Sequence, residues 1–294
     1  MQVQALPIRK VFSDYMNLTK PRITFLVLVT TLAGLWLGAH GLPPWEVAFV
    51  ALVGTGLASA SAATLNNYID RDLDVTMERT RGRPLPSGRL RASEALIFGI
   101  ALGMASFVIL GAFVNLLSAL LALLAIFVYV AVYTAWLKRR TPLCTVIGGV
   151  SGALPPVIGW AAVANQIDPA ALVLFAILFL WQPPHFWALA LLRKDEYSEA
   201  GLPMLPVVHG PAMTHRQISL YAAALLPVSL MLYPLGVVGW GYLLAAAILG
   251  LGFVALSILL RFTSNSTRLT RTLFLYSTLY LAVLSVMMLL DCRG

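Results

Sequence analysis

Five stretches of this chain, 23–45, 47–69, 141–167, 169–192 and 272–290, contain no Asp, Glu, Lys or Arg. A run of roughly 20 uncharged, mainly apolar residues can cross a bilayer as one helix, the form in which a backbone satisfies its own polar groups in hydrocarbon. Two further uncharged runs, 95–137 and 217–260, are about twice as long as one crossing needs. Each is interrupted by turn-forming residues, GAFVN at 111–115 and YPLGVVGWG at 233–241, and so reads as a hairpin of two spans. Only 11% of the 294 residues are charged, against about 25% in soluble domains. The expected fold is an all-α integral membrane protein of nine transmembrane helices around a central cavity.

The charges supply the orientation. Nine spans put 19 of the 20 basic residues on one edge and leave Arg293 on the other. Lys and Arg collect in cytoplasmic loops, so the N-terminus is expected in the cytoplasm and the C-terminus outside. The net charge of +8 is then a topology signal spread over short membrane-edge loops, and it gives no reason to expect nucleic acid. No long linker or low-complexity segment divides the chain, which reads as one domain over 1–294. The first twenty residues lack the apolar core of a cleavable signal, so no processing is expected. Cys144 and Cys292 fall at opposite membrane faces and are not expected to pair, and no metal-binding cysteine spacing occurs.

Two cytoplasmic connections, about 71–92 and 193–216, are longer than the usual four to six residues, as functional loops often are. Seven of the twelve acidic residues stand at their starts: Asp70, Asp72, Asp74, Glu78, Asp195, Glu196 and Glu199. The loops follow spans 2 and 6, which hints at an internal four-helix repeat. In NNYIDRDLD at 66–74, Asn66, Asp70 and Asp74 recur every fourth residue. If span 2 stays helical to residue 74, they line one face, rising about 6 Å per step. Two carboxylates and an amide oxygen suit Mg²⁺, which commonly takes one or two carboxylates together with substrate phosphate oxygens. Arg79, Arg81 and Arg83 follow closely, and guanidinium groups bind phosphate by paired hydrogen bonds. A diphosphate site is the expectation, as against a loop of mutually paired charges. Lys138 could reach the same phosphate from the facing loop. Asp195 and Glu199 repeat the four-residue spacing, with Tyr197 between them. Asp195 is a further candidate metal ligand, Tyr197 and Glu199 are candidate substrate contacts, and Glu196 is less well directed.

Within the membrane, His185 lies in WQPPHFWALA, with Trp181 and Gln182 in the same region. Pro183 and Pro184 should kink their helix, freeing backbone carbonyls that need a cavity, water or side chains, and Pro155 and Pro156 should break their span as if to shape a central cavity. An ionisable residue inside a membrane is a functional candidate by default; the alternative is a histidine bonded to a neighbouring helix.

NNYIDRDLD resembles the first Asp-rich motif, Asn-x₃-Asp-x₃-Asp, of the UbiA superfamily of intramembrane prenyltransferases. LTKPRIT at 18–24, MERTRGRPLPSGRL at 77–90, YTAWLKRRTPLCTVIGGVSGALPPVIGW at 133–160, WQPPHFWALAL at 181–191 and DEYSEAGLPMLPVV at 195–208 extend the resemblance in order over most of the chain. The WQPPHFWALA and AGLPMLPVV stretches are similar to the branch that acts on heme. That resemblance implies transfer of the farnesyl group of farnesyl diphosphate to the 2-vinyl group of heme b, with addition of water, giving heme o and diphosphate. Heme b is then a substrate, Mg²⁺ the cofactor, the bilayer the solvent, and a heme A synthase or terminal oxidase assembly a partner downstream. It implies the bacterial inner membrane, with the active site on the cytoplasmic side. On matching positions, Asn66, Asp70 and Asp74 hold Mg²⁺ and diphosphate, Arg79 and Arg83 are basic residues of the site, and His185 is the family's intramembrane histidine. Glu199 stands where the second motif usually has Asp, and Cys144 where many relatives have Asn.

The sequence leaves open whether His185 would ligate iron, orient a propionate or direct water. It also leaves competing functions. A quinone precursor or chlorophyllide acceptor would keep the diphosphate chemistry. A transporter of anionic solutes would use the broken helices for passage, although the spans carry no path of carboxylates. A non-catalytic assembly factor would need no intact motif.

Overall fold

The computed structural model describes residues 8–263 and 266–293, with side chains from Lys10 onward. It is nearly all helix. A short helix α1 (Ile8–Leu18) precedes α2 (Pro21–Gly38), α3 (Trp45–Asp74) and α4 (Ala92–Phe113). Next come α5 (Leu116–Phe127), which continues as a π-helix over Val128–Leu137, then α6 (Cys144–Ala164) and α7 (Pro169–Leu192). Two short helices, α8 (Lys194–Glu199) and α9 (Leu205–Val208), lead to α10 (Gly210–Leu230), α11 (Trp240–Phe262) and α12 (Thr267–Leu290). Both hairpin turns fall where the sequence puts them, and Asn115 starts α5 by accepting a hydrogen bond from the Ser118 amide at 2.8 Å.

Among the described residues, eight helices are long and apolar enough to cross a membrane. The remaining long helix, α10, has 21 residues. Thr214, His215, Arg216 and Gln217 near its start make it more polar than the others, yet it packs along α7 and α11 as a member of the bundle. The outward faces carry large exposed apolar side chains such as Ile97, Met104, Ile248 and Leu251, as lipid-facing surfaces do. The chain is a multi-pass integral membrane protein.

Pro155–Pro156 do not break their span as expected. α6 and α7 run unbroken through Pro155–Pro156 and Pro183–Pro184, all four buried. In bundles of this kind neighbouring helices can accommodate the lost N–H groups. Close approach does the shaping instead. A Cβ on Gly34 would lie 1.9 Å from the Pro156 carbonyl oxygen, and one on Gly159 2.1 Å from that of Thr31. Glycine on each of α2 and α6 therefore lets the two backbones touch.

The amphipathic α1 was not foreseen. Its Leu18 is buried with Leu85, Leu90 and Ala95, and its Asp14 accepts from Arg89 Nε at 3.0 and 3.1 Å. α1 thereby holds down the 75–91 loop, whose buried Met77 and Thr80 fold it back over the end of α3.

Candidate functional site

Helix α3 carries its 30 residues through to Asp74, so Asn66, Asp70 and Asp74 share one face as their spacing requires. All three are buried, at 4%, 1% and 1% exposure. Buried carboxylates need partners, and each has one. Lys138 Nζ lies 2.5 Å from Asp70 Oδ2. Arg83 Nη1 lies 2.7 Å from Asp74 Oδ2. Asn66 Nδ2 donates to Asp70 Oδ2 at 2.8 Å and to Thr134 Oγ1 at 3.1 Å. Thr80 Oγ donates to the Asp74 carbonyl at 2.9 Å, tying the loop to the helix end.

Two of these contacts depend on the π-helical segment. Thr134 Oγ donates to the Tyr129 carbonyl five residues back at 2.8 Å, leaving its oxygen as acceptor for Asn66. Lys138 follows directly at the end of that segment. π-turns recur at functional sites because the extra residue re-aims side chains.

A fourth group reaches the site from α2. Lys20, next to Pro21 and just outside the first span, adopts the left-handed conformation (φ 49°). It donates from Nζ to Asn66 Oδ1 at 2.6 Å. Burial, then repulsion from Arg83 and Lys138, brings its ammonium down to about 7, against a smaller opposing pull from Asp70 and Asp74. In the sequence it reads as one more topology charge; the signal to its role is the proline after it, which starts the helix and fixes where the preceding residue points.

The site thus joins two carboxylates with Lys20, Arg83 and Lys138, and Arg139 Nη2 stands 3.9 Å from Asp70 Oδ1. That Asp70 oxygen is buried and without a hydrogen-bond partner. An unpaired buried carboxylate oxygen on the same helix face as an amide oxygen and a second carboxylate fits a hard divalent cation. No group of three or more His, Cys, Asp or Glu that could hold a metal occurs among the described residues. Two carboxylates and an amide oxygen are the hard-oxygen donors that Mg²⁺ commonly takes together with substrate phosphate oxygens and water.

The second acidic loop is arranged differently from its spacing. Asp195 and Glu199 lie on the exposed side of α8. Glu196 turns inward instead, 2.9 Å from Arg193 Nη1 and 3.5 Å from Arg79 Nε, because Arg193 sits one turn before it. Arg79 is thereby joined to the second loop, apart from the Asp74–Arg83 pair. A cavity of about 320 Å³ lies between the loops, lined by Met77, Arg79, Arg193, Glu196 and Glu199 among others. It opens at the loop edge and not in the middle of the bundle. Tyr197 is buried with Leu137 and Cys144, and burial raises its phenol above the usual value with Arg79 opposing. Both cysteines are free.

His185 lies on α7, away from these loops, stacked between Trp181 and Phe274. Gln182 donates to the Gly149 carbonyl at 2.9 Å, so it serves the α6–α7 contact.

The sequence pattern of the UbiA prenyltransferase family matches residues 27–279. A protoheme IX farnesyltransferase from Gloeobacter violaceus is 49% identical over 279 residues, 95% of this chain and 92% of that one. Another from Trichodesmium erythraeum is 48% identical over 285 residues, 97% of this chain and 87% of that one. Among solved structures, a digeranylgeranylglyceryl phosphate synthase matches with a TM-score of 0.81 at 16% identity, over 95% of this chain and 98% of its own. A UbiA homolog from Archaeoglobus fulgidus, bound to GPP and Mg²⁺, matches with a TM-score of 0.66 at 17% identity, over 94% and 99%.

Proposed function

This chain belongs to the UbiA prenyltransferase family, and we propose that its buried carboxylate–ammonium site works on farnesyl diphosphate with heme b as acceptor. The enzyme transfers the farnesyl group to the 2-vinyl group of heme b; water adds, and heme o and diphosphate leave. Relatives at 49% and 48% identity over nearly the whole chain support this acceptor. The whole of residues 1–294 acts as one domain of nine spans in a bacterial inner membrane, N-terminus and site on the cytoplasmic side, C-terminus outside. The lopsided distribution of basic residues supports that orientation. Heme A synthase or a terminal oxidase would receive the product.

The observation that carries the mechanism is the pair of buried carboxylates, each already held by a cation, at the membrane edge of α3. Asp70, Asp74 and the Asn66 oxygen would hold Mg²⁺, with Asp195 of the second loop as a further candidate ligand. Bound there, the metal supplies a positive charge that offsets the charge growing on the departing diphosphate. Lys20 would then turn its ammonium from Asn66 Oδ1 to a phosphate oxygen. Lys138 and Arg83 lie within reach of the same group, and Arg79 approaches it from the loop cavity, with Glu199 and Tyr197 beside it. These fixed cations stabilise the leaving group as the allylic C–O bond breaks. The electron-rich vinyl carbon attacks the farnesyl carbon. The resulting cation takes the oxygen of water, and a proton is released.

Incubation of the purified chain with farnesyl diphosphate, heme b and Mg²⁺, followed by mass analysis, tests the reading. A porphyrin heavier by one farnesyl group and one hydroxyl is expected. Prenylation of a quinone precursor with heme b left unchanged would move the chain to the other acceptor class.

A further inference from the structure

His185 is fixed more tightly than packing alone requires. Its ring is stacked 4.6 Å from Trp181 at 20° and 4.7 Å from Phe274 at 26°, so it cannot turn without losing both faces. Its Nδ1 lies 2.7 Å from Ser277 Oγ on α12. The same Oγ lies 2.6 Å from the Phe274 carbonyl oxygen, and Trp181 Nε1 donates to the Ser277 carbonyl at 2.6 Å.

These contacts assign the proton. A carbonyl oxygen only accepts, so at 2.6 Å the Ser277 hydroxyl must donate to Phe274. A hydroxyl has one hydrogen, and with it committed, Oγ can only accept from the imidazole. Nδ1 is therefore the protonated nitrogen of the neutral ring, and the lone pair sits on Nε2. No group among the described residues bonds to Nε2, and the ring is only partly enclosed. A histidine whose far nitrogen is pinned by a second group and whose near nitrogen is bare is arranged as metal-ligating histidines are.

We infer that Ser277 is a positioning residue that fixes the tautomer and plane of His185 so that Nε2 ligates the iron of the heme acceptor. This rests on the heme reading above. A ligated iron would hold the macrocycle, and with it the vinyl group, at one place along α7. Trp181 and Phe274 act with Ser277, holding the ring's plane while the hydroxyl holds its edge.

The test uses the full chain in lipid nanodiscs titrated with ferrous heme b, read by absorption and resonance Raman spectra. Wild type is expected to show an iron–histidine stretching band that disappears in His185→Ala. Ser277→Ala should retain the band at shifted frequency and bind heme ~10- to 100-fold more weakly, the usual cost of losing such an outer partner. Ser277→Thr should restore both. Ser277→Cys, close to serine in volume, removes the acceptor oxygen without opening a cavity, and should match Ser277→Ala even if the alanine protein folds poorly. A band that survives His185→Ala, or Ser277→Ala and Ser277→Cys proteins with wild-type band and affinity, overturns the inference. If wild type makes heme o without any iron–histidine band, the inference falls while the function stands. If wild type binds no heme and prenylates another acceptor, both fall.

Discussion

The position of Lys20 beside Asn66 predicts that diphosphate binding depends on pH. The Lys20 ammonium is buried against Asn66 and brought down to about 7 by that burial and by Arg83 and Lys138. A diphosphate bound among these groups reverses the balance, since its negative charge favours the protonated amine. Below about pH 7 the amine is protonated both before and after binding, and affinity does not depend on it. Above that value the free protein must take up a proton to bind, and affinity falls about tenfold per pH unit until the complex itself titrates. At pH 8 binding should be about tenfold weaker than at pH 6 and absorb ~0.9 proton. Calorimetric titration with a non-reactive farnesyl diphosphate analogue, in two buffers of different ionisation heat, reads that uptake. Lys20→Met removes a charge-assisted hydrogen bond of about 1.5–3 kcal/mol. It should weaken binding ~10- to 100-fold at pH 6, abolish the proton uptake, and converge on wild type as pH rises to 9. Equal buffer heats for wild type at pH 8, or an uptake that persists in Lys20→Met, would refute the assignment.

Further outcomes follow from the same contacts. Asp70→Ala and Asp74→Ala each remove a proposed metal oxygen and leave Lys138 or Arg83 unpaired. Mg²⁺-dependent turnover should drop by ~10²-fold or more, and folded protein with near-normal turnover would reject the site. Glu196→Gln frees Arg79 and Arg193 from their shared carboxylate, so KM for farnesyl diphosphate should change more than in Asp195→Asn; the reverse ranking would give Asp195 the larger second-loop role. Gly34→Ala drives a methyl into the Pro156 carbonyl, with its Cβ 1.9 Å away. Overpacking of this kind costs about 1–3 kcal/mol, so the melting temperature in detergent should fall clearly, and an unchanged one would mean that α2 and α6 separate freely.

The spans and hairpin turns are legible in the sequence because exclusion of charge from hydrocarbon is a strong, local rule. The Asn66–Asp70–Asp74 face is legible for the same kind of reason, since four residues is nearly one helical turn. The ninth long helix is less so: α10 puts four polar residues near its start, and burial among neighbours replaces hydropathy there. What the spacing leaves undecided is α8. A four-residue interval suggests that Asp195 and Glu199 act together, but an isolated pair does not say which face turns inward. Arg193, three residues before Glu196, decides it. Lys20, Thr134 and Ser277 are less legible for another reason. Each makes its contact across 46, 68 or 92 residues of chain, and although Lys20 and Thr134 stand in stretches that carry the resemblance, nothing in their spacing points to the partner.

The distribution of polar groups over depth explains how one bundle can serve two unlike reactants. Ionic groups are tolerable where α3 meets the loops, because Lys138 pairs with Asp70 and Arg83 with Asp74, while the Asn66 oxygen holds Lys20. Deeper in α7 no counter-charge pairs with the span among the described residues, and the polar device there is a histidine held by a serine hydroxyl and two aromatic faces. On the proposed reading, a diphosphate would be drawn to the first and a flat, largely apolar macrocycle with a metal at its centre to the second. The farnesyl chain, apolar itself, would join them along the span. Cleavage at the edge would then release the charged product toward water, while the carbon skeleton stayed with the acceptor in the bundle.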